Sequence, residues 1–263
     1  MSTRLRATFD RLRRSGRKAL IPFLMGGDPD LETTARLIRV LADAGADIVE
    51  IGVPFSDPLA DGPVIQRASS RALARGATPR DVLDMVRSVS SDVSAPVVLL
   101  SYWNPIVQYP GFVDRARRAG VSGVVVPDLP PEEANGFRHS AKSAGVATIF
   151  LASPTSSPDR LRRIARASEG FIYYVSLTGT TGVRDRLSSD WLHGVRQLKL
   201  ITTKPVCVGF GISTPAQASA VARAADGVII GSALLKTLEP FRHRRAALVR
   251  RASVMIRQFR KAV

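Results

Sequence analysis

Short apolar runs alternate with longer amphipathic stretches along the whole chain. The short runs suit buried strands, and the stretches between them have the length of helices. Three of these stretches open with an N-cap residue followed by proline, at Thr78-Pro79, Ser157-Pro158 and Thr214-Pro215. The pattern predicts strands at 19–25, 47–52, 96–101, 123–126, 146–151, 171–176, 205–208 and 227–230. It predicts helices near 31–44, 79–90, 111–119, 132–144, 158–167, 189–199, 215–224 and 240–260.

Strands that alternate with helices at this spacing predict βα units and a parallel sheet. Eight such units in 263 residues predict an α/β fold, the (β/α)8 TIM barrel, whose active site lies at the carboxyl ends of the strands. A doubly wound open sheet is the alternative. It requires Gly-x-Gly-x-x-Gly after the first strand, whereas residues 25–29 read Met-Gly-Gly-Asp-Pro. We therefore predict one barrel domain over 1–263, with a helix at 1–18 capping its bottom, a short extra helix at 233–238 and a basic C-terminal helix at 239–263.

The net charge of +16 is concentrated at the two ends of the chain. Residues 1–18 carry net +6 and residues 236–263 carry net +8, which leaves the middle nearly neutral. Basic ends without interleaved aromatic residues are weak support for nucleic-acid binding, so we expect solvated helix faces. The Arg-rich N-terminus also has the composition of a transit peptide. However, Leu5, Phe9 and Leu12 are spaced as one helical face, which favours a packed capping helix.

The number and spacing of cysteine and histidine, and the hydropathy of the chain, argue against a disulfide framework, a zinc site and a membrane span. The single cysteine, Cys207, lies in an apolar run, so we expect a buried free thiol and no disulfide framework. His139, His193 and His243 are scattered and lack the spacing of a zinc site. No apolar run approaches the length of a membrane span. These features predict a cytoplasmic protein without a bound metal.

The stretch 50–63 places two ionisable side chains on a strand and a stiff loop. Glu50 continues an apolar run, and a buried carboxylate is costly and tends to hold its proton. Asp61 follows in a loop that is stiffened by prolines. Both are therefore candidates for acid–base chemistry. The structural alternative is that Asp57 and Asp61 only form turns and that Glu50 pairs with a basic neighbour in the barrel wall.

Two glycine-containing turns follow the last two predicted strands. Residues 209–213 read Gly-Phe-Gly-Ile-Ser, and residues 231–232 read Gly-Ser before the short predicted helix. Barrels often bind phosphate with these two loops, because glycines let backbone N–H groups approach the anion. Residues 177–190 form a long stretch without apolar periodicity after the sixth predicted strand. Such loops are typical of lids that exclude water from a site.

Together these segments resemble the tryptophan synthase alpha subunit family over nearly the whole chain. Residues 50–63, Glu-Ile-Gly-Val-Pro-Phe-Ser-Asp-Pro-Leu-Ala-Asp-Gly-Pro, match its signature almost letter for letter. Further matching segments are 21–23, 27–29, 65–66, 128–130, 179–182, 209–213 and 231–232. Thr180 departs from the family, which usually has valine at this position of the lid motif.

The resemblance implies a lyase of tryptophan biosynthesis that cleaves indole-3-glycerol phosphate to indole and glyceraldehyde 3-phosphate by a retro-aldol reaction. It implies that indole passes to a beta subunit carrying pyridoxal phosphate, in an alpha2beta2 heterotetramer, and that this chain holds no cofactor. A free-standing lyase would use the same residues without a beta partner. A non-catalytic activating subunit is disfavoured because Glu50 and Asp61 are both present.

The resemblance also implies a role for individual residues. Glu50 would be the acid and base, and Asp61 would pair with the indole nitrogen. Apolar residues on strands belong to the core by default, but the resemblance assigns several of them to a binding pocket. The implied indole pocket comprises Phe23, Leu100, Val125 and Tyr173. The implied phosphate site comprises Gly182, Gly211, Gly231 and Ser232. Thr181 would act in the lid, and Asp57 would contact the beta subunit.

Overall fold

Parallel strands form the wall of a barrel in the computed structural model, which describes residues 3–175, 190–209 and 211–263. The strands among these residues are β1 (Ala19–Met25), β2 (Val49–Gly52), β3 (Val97–Leu100), β4 (Val121–Val125), β5 (Ala147–Ile149), β6 (Leu151–Ala152), β7 (Ile172–Val175), β8 (Val206–Gly209) and β9 (Gly227–Ile230). Their order around the sheet is β5-β4-β3-β2-β1-β9-β8-β7-β6, with every pairing parallel. This arrangement confirms the predicted barrel and excludes the doubly wound open sheet.

The barrel closes at Phe150, the single residue between β5 and β6, which stand at opposite ends of the strand order. The Phe150 N–H donates to Ser168 Oγ at 3.4 Å, while its carbonyl accepts from the Tyr173 N–H at 3.1 Å. The backbone thus changes partners at this residue, which divides the predicted strand 146–151 into two short strands. With β5 and β6 counted as one predicted strand, the strands among the described residues correspond to the eight that the sequence predicts.

Helices follow the strands around the outside of the barrel. Those among the described residues are α1 (Thr3–Arg14), α2 (Leu31–Asp43), α3 (Pro63–Ala74), α4 (Pro79–Arg87), α5 (Trp103–Val107), α6 (Phe112–Arg118), α7 (Asn135–Ala144), α8 (Pro158–Ala167), α9 (Asp190–Ile201), α10 (Pro215–Ala222), α11 (Ser232–Leu238) and α12 (Arg245–Ala262). A 3-10 helix at Glu239–Phe241 separates α11 from α12. The predicted helix 240–260 is therefore divided between this 3-10 turn and α12.

The sequence pattern missed helix α3. We predicted only an irregular, proline-stiffened loop after the second strand, but Pro63 occupies the first turn of α3, where proline is tolerated because no helical hydrogen bond is lost. Ile65, Ala68 and Ala72 form the buried face of α3. Their spacing is helical, but the small size of alanine makes the signal weak. The short helix α5 was also missed.

Helix α1 covers the amino-terminal end of the barrel. Leu5, Phe9 and Leu12 are buried, as their spacing predicts. The Phe9 ring lies 5.9 Å from that of Phe171, which directly precedes β7 and so lies at the start of a barrel strand. The structure thus places α1 at the end opposite the predicted active site.

The structure also describes the single cysteine and the hydropathy of the helices. Cys207 is a buried free thiol on β8, as expected. Among the helices that the structure describes, none combines the length and the hydropathy needed to cross a bilayer.

Candidate active site

Glu50 lies within β2, a strand of the barrel wall, and is buried, with 1% of its surface exposed. The parallel register sets it beside Phe23 of β1 and Val98 of β3. No described residue hydrogen-bonds either of its carboxyl oxygens. Burial raises the pKa of Glu50 to about 8, with the charge of Asp61 as the second cause. Glu50 therefore holds a proton at neutral pH, and the described residues supply no basic partner of the kind that a structural role would require.

Asp61 is the second carboxyl group, and it is buried although it lies in a loop. Burial raises the pKa of Asp61 to about 6, while a hydrogen bond from the Tyr102 hydroxyl opposes that rise. Asp61 is consequently mostly ionised at neutral pH while Glu50 is mostly neutral. One proton donor and one anionic acceptor therefore lie at the same end of the barrel. Their surroundings give them different pKa values, so that they differ in protonation state at neutral pH.

The loop that carries Asp61 is fixed by side chains on either side of it. The Tyr102 hydroxyl, just after β3, also accepts a hydrogen bond from the Ala60 N–H at 3.0 Å. Gln66 of α3 donates from Nε2 to the Asp61 carbonyl at 2.9 Å. Ser69 of α3 uses its hydroxyl twice, accepting from the Phe55 N–H and donating to the Phe55 carbonyl, both at 2.9 Å. These hydrogen bonds tie the Asp61 loop to α3 and to the residue that follows β3 by two positions.

Sequence reasoning assigned no function to Tyr102 and none to Ser69. Tyr102 did carry a signal, since it is a polar residue immediately after a strand, at the end of the barrel where active sites lie. Ser69 carried none, because α3 was not predicted and a serine in a loop contacts solvent by default.

A cavity of about 80 Å³ opens beside Asp61. Glu50 is not among its lining residues, but it is the β2 register neighbour of Phe23, which is one of them. The cavity is lined by Phe23, Asp61, Gly62, Ile65, Leu100, Tyr173, Gly211, Ile212, Ile229, Gly231 and Ser232. Three of the four residues implied for the indole pocket and three of the four implied for the phosphate site thus share one cavity with Asp61. Val125 is not among its lining residues; it lies buried beside Leu100 in the register of β3 and β4.

Glycine at position 52 shapes one wall of this cavity. A Cβ atom at Gly52 would lie 2.7 Å from Cζ of Phe23, closer than side-chain atoms approach one another. The absence of a side chain therefore allows the Phe23 ring to lie across the end of β2 and to line the cavity. Gly52 is accordingly part of the reason that Phe23 can serve as an apolar wall.

A larger groove of about 550 Å³ lies on the outer face of the barrel between α2 and α4. Its charged lining residues include Arg36, Arg39, Asp81 and Asp84, and none of the predicted site residues that the structure describes contributes to it. The groove lies in the helical layer, away from the carboxyl ends of the strands. The smaller cavity is therefore the candidate active site.

Some predicted site residues lie outside the described residues or away from the cavity. Thr181, Gly182 and the rest of the predicted lid, apart from the Asp190 that begins α9, lie outside the described residues. Asp57 is exposed, and its carboxylate accepts a hydrogen bond from the Ser56 hydroxyl. Two residues later, the side chain of Leu59 is 88% exposed. The outer edge of the Asp61 loop thus presents an acidic and an apolar side chain together.

Comparison with known proteins identifies the family of this chain. A family model described as tryptophan synthase alpha chain matches residues 9–263. The chain belongs to the tryptophan synthase alpha chain family. A family member from Geobacter sulfurreducens is 48% identical over 263 residues, covering 99% of both chains. One from Synechocystis is 53% identical over 239 residues, covering 88% of this chain and 89% of the relative.

Solved structures of the same family agree with this assignment. Tryptophan synthase subunit alpha from Legionella pneumophila has a TM-score of 0.90 at 37% identity, covering all of this chain and 98% of that one. A chain of Mycobacterium tuberculosis tryptophan synthase has a TM-score of 0.91 at 36% identity, covering all of this chain and 99% of that one. This family member is thus an enzyme subunit of tryptophan biosynthesis with a TIM-barrel fold.

Proposed function

We propose that this chain cleaves indole-3-glycerol phosphate to indole and glyceraldehyde 3-phosphate, as a carbon–carbon lyase. The observation that carries the proposal is an apolar cavity lined by the buried carboxyl group of Asp61, with a second buried carboxyl group, Glu50, on the strand next to its wall residue Phe23. A retro-aldol cleavage of this substrate requires a proton at indole C3, removal of the side-chain hydroxyl proton, and stabilisation of the indole N–H while the ring is cationic.

Glu50 is the proposed proton donor and acceptor. Its raised pKa keeps it protonated, so it can deliver a proton to indole C3. The resulting carboxylate then takes the proton of the side-chain hydroxyl. The electrons of that O–H bond form the aldehyde carbonyl, and the electrons of the breaking carbon–carbon bond return to the indole ring. Glu50 ends the cycle protonated, and general acid–base catalysis of this kind contributes about 10²–10⁴-fold in rate.

Asp61 is the proposed partner of the indole nitrogen. Protonation at C3 places positive charge on the ring, so an anionic carboxylate facing the N–H stabilises that state more than the neutral substrate. The hydrogen bond from Tyr102 supports this role because it favours the ionised form of Asp61. Tyr102 therefore assists by setting both the position and the charge of the acceptor.

The remaining cavity residues fit the two ends of this substrate. Phe23, Leu100 and Tyr173 supply apolar walls for the indole ring, and Val125 supports Leu100 from the neighbouring strand. Gly211, Gly231 and Ser232 also line the cavity, and their backbone N–H groups and the Ser232 hydroxyl can hold phosphate. Gly182 and the lid motif containing Thr181 would complete the enclosure. We propose no cofactor or metal on this chain.

The proposal includes a beta subunit that receives the indole and carries pyridoxal phosphate, in a cytoplasmic alpha2beta2 assembly. The solved relatives from Mycobacterium tuberculosis support an assembly, since they are structures of tryptophan synthase itself. Exposed Leu59 beside exposed Asp57 supports a docking edge on the Asp61 loop, with Asp57 facing a basic residue of the partner. A partner that binds this edge would favour the closed site and raise the cleavage rate.

The test is release of indole from indole-3-glycerol phosphate by the purified chain, followed by absorbance in single-turnover experiments. We expect slow cleavage by the chain alone and an increase of at least about ten-fold with a cognate beta subunit, as for a population shift toward a closed state. Absence of indole release under both conditions would refute the proposed reaction. Equal rates with and without the partner would support a self-sufficient lyase instead.

A further inference from the structure

Three segments that line the cavity are joined by one arginine outside it. Arg71 of α3 forms a two-bond ion pair with Asp28, which follows β1, from Nε to Oδ1 at 2.9 Å and from Nη2 to Oδ2 at 2.7 Å. Its remaining nitrogen, Nη1, donates to Oε1 of Glu239, which follows α11, at 2.8 Å. All three guanidinium nitrogens of Arg71 are thus bonded to carboxylates from two other segments.

Each of these segments supplies a wall of the candidate active site. β1 carries Phe23, α3 begins beside Asp61 and carries Ile65, and α11 begins with Ser232. Arg71 itself does not line the cavity. The same side chain therefore ties α3, which begins two residues after Asp61, to the segment after α11, the helix whose first residue, Ser232, we assign to phosphate.

A second contact supports a close connection between α3 and the segment after β1. A Cβ atom at Gly27, where φ is +90°, would lie 2.9 Å from Cβ of Ala77 and 3.4 Å from Cβ of Ala72 at the end of α3. The two segments are thus packed directly together beside the ion pair. Arg67, one turn before Arg71 on α3, adds a weaker pair with Glu239 at 3.3 Å.

The burial of the pair with Asp28 favours a role in geometry over a surface contact. The side chain of Asp28 is 8% exposed and that of Arg71 is 26% exposed. Exposed ion pairs contribute little because water and salt screen them, whereas a carboxylate this buried depends on its partner. Loss of Arg71 would leave Asp28 without that partner and free α3 to move relative to β1 and α11.

We propose that Arg71 is a positioning residue that sets the spacing between the walls of the active-site cavity. This inference rests on the proposed function, because the walls matter for the substrate named there. It acts on binding more than on the chemical step. The Tyr102 hydroxyl, which follows β3, bonds Asp61 from outside α3, and Glu50 lies within β2, so each reacting group keeps a support that does not depend on Arg71.

The test compares steady-state indole release by Arg71→Met, Arg71→Lys and the wild-type chain, all in the presence of the beta subunit. Small displacements of binding walls lower productive binding, so we expect Arg71→Met to raise KM about five-fold while kcat changes less than about two-fold. The inhibition constant of glycerol 3-phosphate should rise by a similar factor. Arg71→Lys should fall between the two, because lysine keeps the charge but cannot bond both carboxylates.

The matched control is Arg39→Met. Arg39 also forms a two-bond pair with a carboxylate, from Nε at 3.1 Å and Nη2 at 2.8 Å to Oδ2 of Asp92, but this pair is exposed on the outer helical layer away from the cavity. Its KM should equal that of the wild type. An unchanged KM in folded Arg71→Met, or an equal rise in Arg39→Met, would overturn the inference whatever happens to the melting temperature.

Glu239→Gln is the second variant, for the case in which Arg71→Met does not fold. It removes only the charge at the α11 end and keeps the buried pair of Arg71 with Asp28. A rise in KM with unchanged kcat supports the inference, and an unchanged KM overturns it. A wild-type chain that releases no indole would instead refute the proposed function itself, so the two failures are distinguishable.

Discussion

At the scale of single residues, the proposed mechanism uses a difference between two carboxyl groups. Glu50 is enclosed by strands and has no described hydrogen-bond partner, so burial dominates its pKa. Asp61 is also buried, but the Tyr102 hydroxyl favours its charged form. The cleavage we propose needs a donor and an anionic acceptor at the same time, and these surroundings provide both at neutral pH.

This difference predicts the pH dependence of cleavage. Asp61 must be ionised and Glu50 protonated, so kcat/KM should rise as pH passes about 6 and fall as pH passes about 8. The measurement is initial-rate cleavage across roughly pH 5 to 9, with circular dichroism confirming that the protein stays folded over the range. Because the two groups interact, the apparent pKa values on the acidic and basic sides of the profile describe the pair and not either residue alone. A flat profile would contradict this assignment.

Residue chemistry was only partly predictable from the sequence. Glu50 was predictable because an ionisable residue inside an apolar run is costly unless it has a function. The hydrogen bonds of Ser69 and Gln66 to the Asp61 loop were not, because they depend on helix α3. The position of Val125 beside Leu100, outside the cavity lining, depends on strand register, which the sequence pattern does not fix to a single residue.

At the scale of elements, the helices differ in how clearly the sequence marks them. Helix α8 was predicted with its observed bounds, because Ser157 caps it, proline follows and the apolar face is strong. Helix α3 begins at a proline after Asp-Gly, and this composition is typical of a loop. Local signals thus predicted helices such as α8, in which the N-cap residue and the apolar face mark the same bounds. They missed α3, whose buried face is mostly small residues.

Helix α12 is attached to the amino-terminal end of the barrel by its final arginine. Arg260 donates from Nη1 to Oδ2 of Asp47 at 2.6 Å and from Nη2 to the Lys18 carbonyl at 3.1 Å. Asp47 is buried and also accepts from the Leu20 N–H at 3.0 Å. The end of the chain is thereby fixed beside the start of β1.

We predict that Arg260→Met destabilises the fold. Asp47 would stay buried, and the cationic side chains left near it among the described residues would be the more distant Arg11, at 3.5 Å, and Arg17, at 4.0 Å. The free energy of unfolding should fall by about 2–4 kcal/mol, since removing one partner leaves a buried charge poorly compensated. Urea denaturation measures this, with exposed Arg257→Met on the same helix as control, expected within about 0.5 kcal/mol of wild type. Equal stability of both variants would contradict the attachment.

At the scale of the whole molecule, the basic ends of the chain meet at the bottom of the barrel. Arg11 of α1 and Arg260 of α12 both contact Asp47, so part of the positive charge neutralises a buried acid. The candidate active site lies at the opposite end. The excess of charge is therefore separated from the chemistry, in agreement with the nearly neutral middle of the sequence.

We predict that this basic end does not bind nucleic acid with useful strength. Binding through phosphate contacts weakens steeply as salt rises. Fluorescence anisotropy with labelled DNA and RNA at about 150 mM salt, near physiological ionic strength, should show no sub-micromolar affinity. Sub-micromolar binding under these conditions would contradict the prediction and restore nucleic acid as a candidate partner.

The barrel itself was predictable because eight βα units leave few topologies open. Closure at Phe150 was not, since the change of hydrogen-bond partner there depends on Ser168, a residue distant in sequence. The meeting of Phe23, Asp61 and Ser232 around one cavity was predictable only once the barrel and the family resemblance were combined. The predicted lid lies outside the described residues and stays a prediction.

The most direct test of the account is single-turnover cleavage of indole-3-glycerol phosphate by Glu50→Gln. Glutamine keeps the volume of the side chain and needs no ionisation, so the variant should fold and bind substrate. It cannot donate and then accept a proton, so cleavage should fall by about 10² or more. Circular dichroism and substrate binding serve as controls. Near-normal cleavage by the folded variant would contradict the assignment of Glu50 and with it the proposed mechanism.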